Sequence, residues 1–294
     1  MPTLLVFGDS WANSSDPTID TWPEVVARRW GWRLINLAEP HSGSDGLDRQ
    51  FMQLCRASRE HPVPFNEHDL AIVHTGGNDL YYSTPSSLAA VALSGPVANV
   101  FAPHIGRSLS AHVKALVMGL LELGVRRIAC VGVPLSTHMP FIAQPVAELG
   151  IPSVLMCLAR CVMRSSNRVL LTALRSALAD GQRDSGKRLL LSECLDEASA
   201  IDRVLEADAP TSQPAEAEAR RAWRASHLWW EDASHPSQAL HAALANVMQV
   251  QLRAALDAGM VPPRAKEKPI VAATEDDVTV SLLPRTPMQR EAIS

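Results

Sequence analysis

Short runs rich in Val, Ile and Leu alternate along this chain with longer stretches of helical spacing, and that alternation restricts the fold more than any other feature. The clear runs are residues 3–7, 33–37, 70–75 and 127–133, with a weaker one at 188–191. Apolar and polar residues scarcely alternate within them, as expected for parallel strands covered on both faces. Helical spacing occupies 22–30, with Pro23 in the tolerant first turn, and 110–123, where Val113, Leu116, Val117, Leu120 and Leu121 share a face ahead of Gly124 as the C′ residue. It returns at 153–178 and at 236–256. The pattern predicts β-α-β units around a parallel sheet, an α/β fold.

Two segments break the alternation. Residues 81–107 mix Pro, Ser and Gly with short apolar patches and predict an irregular excursion after the third strand, where α/β sheets bind ligands. Residues 261–294 carry Pro262, Pro263, Pro269, Pro284 and Pro287 among mixed charges and predict a disordered tail. One domain over 1–258 followed by a tail at 259–294 is the expected organisation of the 294 residues.

Composition excludes several classes. With 47% hydrophobic and 20% charged residues the chain can fill a core. The net charge of −4, from 31 acidic and 27 basic residues without a dense basic run, argues against a nucleic-acid partner. Residues 1–7 lack the basic start of a signal peptide, and the longest apolar stretch, 115–121, is far short of the ~20 residues a bilayer requires. A soluble, cytoplasmic protein is expected. The scattered cysteines (Cys55, Cys130, Cys157, Cys161 and Cys194) predict reduced, mostly buried thiols, with Cys157 and Cys161 packed in a core in preference to binding metal.

Three clusters carry chemistry. Phe7-Gly8-Asp9-Ser10-Trp11 falls where a buried strand turns toward a helix, which sets a serine hydroxyl at the rim of the sheet. Thr75-Gly76-Gly77-Asn78-Asp79 closes the third strand, where paired glycines allow close backbone approach and an Asn can aim N–H groups into a cleft. Asp232-Ala233-Ser234-His235-Pro236 precedes the final helix, with Pro236 suited to its first position. In that loop an Asp three residues before a His can fold back and fix the imidazole tautomer. Each cluster alone also suits an ordinary turn or capping loop.

Taken in order, these blocks resemble the SGNH/GDSL hydrolase family over about residues 3–248, together with a glycine after the second strand. Asn167-Arg168-Val169-Leu170 and the run from His241 to Ala245 are similar to further recurrent segments of that family. The resemblance implies a three-layer α/β/α sandwich with a central, mostly parallel five-stranded sheet, flavodoxin-like in order. It implies hydrolysis of a carboxylic ester in a small molecule, with Ser10 as nucleophile, His235 as general base and then acid, and Asp232 orienting His235. The apolar content of residues 81–100 and 134–163 predicts an acyl pocket for a lipid-like or short aliphatic ester. Asn78 and the backbone N–H groups of Ser10 and Gly43 would form the oxyanion hole, with Gly46 the alternative glycine. No cofactor and no metal is called for, and the oligomeric state is left open.

Other readings compete. A phosphatase using Asp9 would want a second carboxylate where Trp11 stands, and the ten histidines do not cluster as two-metal ligands. An acyltransferase would use the same triad, and a catalytically inactive SGNH-fold binding protein would keep only the shape. His41, His74 and His241 are expected to be structural, and Trp229 and Trp230 to be core aromatics or a shield for the Asp-His loop.

Overall fold

The computed structural model describes residues 1–60, 64–79, 95–132, 153–206, 228–229 and 235–258. Five parallel strands form one sheet: β1 (Thr3–Gly8), β2 (Arg33–Asn36), β3 (Leu70–His74), β4 (Arg127–Val131) and β5 (Leu191–Leu195), in the order β2-β1-β3-β4-β5. All residues of β1, β3 and β4 are buried, which accounts for their unbroken apolar runs. Among the described residues the helices are α1 (Trp22–Trp30), α2 (Gly46–Glu60), α3 (Gly95–Glu122), α4 (Ser153–Ser185), α5 (Glu197–Glu206) and α6 (Gln238–Ala258).

Successive strand residues feed two separate cores, making three layers. Leu4 and Val6 pack with Trp22, Val26, Ile201, Leu244 and Met248 from α1, α5 and α6. Leu5 and Phe7 pack on the other face with Leu54, Leu109, Val117, Leu120 and Leu174 from α2, α3 and α4. Burying each such side chain contributes about 1.5–3 kcal/mol, so the period-two division of the strands between the two helical layers fixes their register.

From β1 the chain crosses to β2 on one side and then returns past β1 to β3 on the other. The connections after β1 and β3 therefore diverge, and a crevice opens between the carboxyl ends of those strands. Ser10 and Asn78 lie just past those ends.

Several local expectations need correction. The fifth strand lies at Leu191–Leu195 rather than 188–191. Gln182 Oε1 accepts the Leu189 N–H (2.9 Å) and the Arg126 carbonyl accepts the N–H of Leu190 (2.7 Å), so the apolar triplet leads into the strand. The strand itself is hidden by Ser192 and Glu193, which a half-exposed edge tolerates. Residues 95–107 are helical, not irregular. Ile105 and Leu109 extend the buried stripe of Val113, Leu116 and Leu120 by one turn at a time, and this packing outweighs the ~3 kcal/mol cost of Pro103 inside the helix. Residues 80–94 lie outside the described residues.

Pro236 is not the first helical residue. It bridges to Trp229, and Ser237 caps the helix that starts at Gln238, its carbonyl accepting the His241 N–H (3.0 Å) and its hydroxyl the Leu240 N–H (3.4 Å). Cys161 is exposed, so it is not a core residue, and Cys55 and Cys194 are only half-buried while Cys130 is buried. The side chain of Cys157 and all of residues 259–294, the expected tail, lie outside the described residues. No helix among the described residues is long and apolar enough to cross a membrane.

Candidate active site

The turn that carries Ser10 is built on Gly8. Its φ of 142° lies outside the range of other residues, and a Cβ there would fall 1.8 Å from the His74 carbonyl oxygen, so only glycine lets β1 run this close to β3. Gln50 of α2 clasps the same residue twice, accepting its N–H and donating to its carbonyl, both at 2.8 Å. Asp9 follows. Its N–H donates to the His74 carbonyl (3.2 Å), its Oδ1 accepts the Trp11 N–H (3.0 Å), and its carbonyl accepts the N–H groups of Ala12 and Asn13, each at 3.1 Å. The turn is tied to β2 as well, because Asn36 donates to the Ala12 carbonyl (2.9 Å) and Asn13 to the Ala38 carbonyl (2.6 Å).

Ser10 emerges from this held turn half-buried. Its Oγ lies 2.7 Å from His235 Nε2, although 225 residues separate the two in sequence. His235 is carried by the short segment before α6, which is fixed by the Trp229–Pro236 bridge and by the Ser237 N–H donating to the Leu228 carbonyl (3.0 Å). Trp229 is a buried aromatic, in edge contact with Trp11 at 6.1 Å. Asp232 and Trp230 lie outside the described residues.

The loop after β2 and the end of β3 are bound together. Asn78 donates through Nδ2 to the Ser42 carbonyl (2.9 Å), and Asp79 accepts the Ser44 N–H (2.8 Å) and hydroxyl (2.5 Å). The structure distinguishes the two glycines of that loop. Gly46 opens α2 and donates its N–H to the Gly43 carbonyl (3.1 Å), and a Cβ there would fall 1.8 Å from Ser42 Oγ, whereas one at Gly43 would face Asp45 and Asp79.

A cavity of about 280 Å³ opens over Ser10 and His235. Ser14, Ser15, Asp16 and His41 give it a polar mouth, and Ile19, Pro40 and Pro236 supply its apolar wall. Hydrogen bonds from the Thr18 N–H and hydroxyl to Asp16 Oδ1 hold that carboxyl below its ordinary range, so the mouth carries an anion. His41 stands there with a left-handed φ of 64°.

Histidines expected to be structural surround the site. His241 lines the cavity although nearly all of it is buried, and burial, followed by the nearby charges of His74 and His235, lowers its pKa to about 3. His74, the last residue of β3, is 1% exposed and places Nε2 2.7 Å from Oε2 of Glu197, which is 0% exposed. The N–H is off the line to that oxygen, so the contact is electrostatic in character more than a directed hydrogen bond. Glu197 had no signal in the sequence, since a lone acidic residue at a helix start suits the helix dipole equally well. Among the described residues no group of three or more His, Cys, Asp or Glu could hold a metal ion.

No protein-family model matches the chain, and no curated protein matches it. Solved structures do. A member of the lipolytic protein G-D-S-L family from Veillonella parvula aligns with a TM-score of 0.48 at 10% identity, over 86% of this chain and 100% of its own. An acetylxylan esterase from Geobacillus stearothermophilus aligns with a TM-score of 0.44 at 17% identity, over 85% of this chain and 94% of its own.

Proposed function

We propose that this chain is a serine hydrolase of the SGNH/GDSL type that cleaves carboxylic esters through an acyl-enzyme on Ser10. The observation that carries the reading is the 2.7 Å contact between Ser10 Oγ and His235 Nε2 at the mouth of the crevice between β1 and β3. A serine hydroxyl is a poor nucleophile until a base takes its proton, and an imidazole nitrogen in hydrogen-bond reach meets that need.

In the proposed reaction Ser10 Oγ bonds to the acyl carbon as its proton passes to His235 Nε2. The carbonyl oxygen gathers negative charge, stabilised by N–H groups of Ser10, Gly43 and the Asn78 side chain. Gly43 is preferred to Gly46 because the Gly46 N–H is already given to a carbonyl. The bond to the alcohol oxygen then breaks, and His235 returns the proton to the leaving alcohol. Water repeats the sequence to release the acid and restore Ser10. Asp232 is assigned the task of orienting His235 through its other ring nitrogen.

The substrate we favour is a short aliphatic ester over a lipid-like one. A cavity of about 280 Å³ with a largely polar mouth suits a small acyl group better than a long chain. Residues 81–94 and 134–152, part of the segments expected to line an acyl pocket, lie outside the described residues. A series of p-nitrophenyl esters tests the proposal: kcat/KM for acetate or butyrate should exceed that for palmitate by roughly tenfold or more. Activity that rises with chain length would overturn the small-acyl assignment, and cleavage of none would overturn the esterase reading.

A further inference from the structure

Beneath the nucleophile turn lies a set of ionisable groups that the ester-cleaving steps leave unused. Asp9, His74 and Glu197 are 3%, 1% and 0% exposed, and they come from three separate elements: the turn after β1, the end of β3 and the start of α5. Trp11 and Trp22 enclose the His74 ring, with centroids at 6.4 and 6.1 Å. Isolated charges are not kept in such surroundings. Paired ones are, and here the Glu197 carboxylate lies against the imidazole while Asp9 sits on the adjoining turn, its N–H held by the His74 carbonyl.

We propose that Glu197 and His74 are positioning residues for the nucleophile turn: Glu197 keeps His74 an imidazolium, which keeps Asp9 ionised directly beneath Ser10, so that Asp9 is a second carboxylate supporting His235 when it takes the serine proton. The inference rests on the serine-hydrolase reading and adds to it a charge source apart from Asp232.

The geometry ties Glu197 to His74 and His74 to the turn that carries Ser10. Glu197 lies 2.7 Å from His74, and the His74 carbonyl holds the Asp9 N–H. Asp9 in turn accepts the Trp11 N–H across Ser10, so the residues on either side of the nucleophile are fixed by this one carboxylate. The groups facing the cluster are Asp79 from the end of β3, Asp196 beside α5, His235 before α6 and His241 on α6.

The protonation direction of His74 agrees with the arrangement, while burial works against ionisation of the two carboxyls. Desolvation opposes charging His74, but the Glu197 carboxylate and then Asp9 outweigh it and raise the imidazole above its ordinary value of 6.5. Burial raises both Asp9 and Glu197 from 3.8 and 4.5, partly offset by the His74 charge. The folded chain thus binds protons here more tightly than the unfolded chain. The His74 contribution to stability is whole below pH 6.5 and is lost as pH climbs through its raised value. The raised carboxyls act in the same direction, losing stability as pH rises past their ordinary values. His241 has the opposite sign, costing stability as pH falls from 6.5 toward 3.

Histidine ring signals followed by NMR on the full chain, with His74 assigned from the His74→Gln variant, test this together with the pH profile of ester cleavage. We expect the wild-type His74 ring to stay protonated through pH 8. In Glu197→Gln its proton should leave at least one pH unit lower, with kcat about tenfold down at pH 8, restored to within threefold at pH 6, and KM within twofold throughout. Glu197→Asp should recover part of the loss at pH 8. A neutral wild-type His74 at pH 7 would overturn the proposal, as would a folded Glu197→Gln with the wild-type profile or with an equal loss at every pH, which marks packing alone. If Glu197→Gln does not fold, the wild-type titration decides. A wild-type chain that cleaves no ester would overturn the serine-hydrolase reading, and with it any catalytic role for the cluster, even where His74 titrates as expected.

Discussion

Ser10→Ala is expected to abolish ester cleavage, lowering kcat by roughly 10⁴–10⁶, and His235→Ala to do so nearly as completely. The two losses should not add, because an unattacked ester and an unactivated hydroxyl are failures of the same step. The double variant is therefore expected to be no slower than either single one. Both side chains are half-buried at the rim of the sheet, and neither belongs to the two cores, so stability should barely change. Circular dichroism and thermal melting check that point before the kinetics are compared. Asp232→Asn should leave more residual rate than either, since a misoriented imidazole still takes the proton from some orientations.

Asn78→Ala carries the second large effect. If the Asn78 amide donates to the developing oxyanion, its loss should cut kcat by roughly 10²–10³, about 3–4 kcal/mol of transition-state stabilisation, with a much smaller change in KM. The same side chain also donates to the Ser42 carbonyl, so it clasps the loop that carries Gly43. Losing only a clasp of that kind costs about 1 kcal/mol and appears in thermal stability. The ratio of kcat loss to stability loss therefore separates the roles. A folded Asn78→Ala with near-normal kcat and a lowered melting temperature would make Asn78 a loop residue and leave the oxyanion hole without it.

How much of this was legible in the sequence depended on how each element is buried. Strands β1, β3 and β4 are covered on both faces, so their apolar runs were unbroken and their positions evident. β5 is a half-exposed edge, and the polar Ser192 and Glu193 hid it behind the more apolar residues just before it. Helix α2 passed unnoticed because few of its residues are buried, among them Gln50, whose task is to clasp Gly8 and not to fill a core. Pro103 concealed the first turns of α3, where tertiary packing overrides local propensity.

At the candidate site, turn chemistry and order along the chain marked Ser10, Asn78 and His235 in the sequence; the structure brings Ser10 and His235 into contact and has Asn78 donate to the Ser42 carbonyl. The choice between Gly43 and Gly46 was not legible, since it depends on which N–H the turn itself consumes. The His74–Glu197 pair was equally hidden. Its members stand 123 residues apart, at a strand end and a helix start, and only the fold brings them within 2.7 Å.

Activation of Ser10 by His235 is open to a chemical test with a fluorophosphonate probe, because phosphonylation needs the activated hydroxyl but no knowledge of the natural ester. With the folded full-length chain, mass spectrometry should place the label on Ser10, Ser10→Ala should take none, and His235→Ala should be labelled far more slowly. Label on a different serine would show that Ser10 is not the nucleophile, and equal labelling of the wild type and His235→Ala would show that His235 does not activate it.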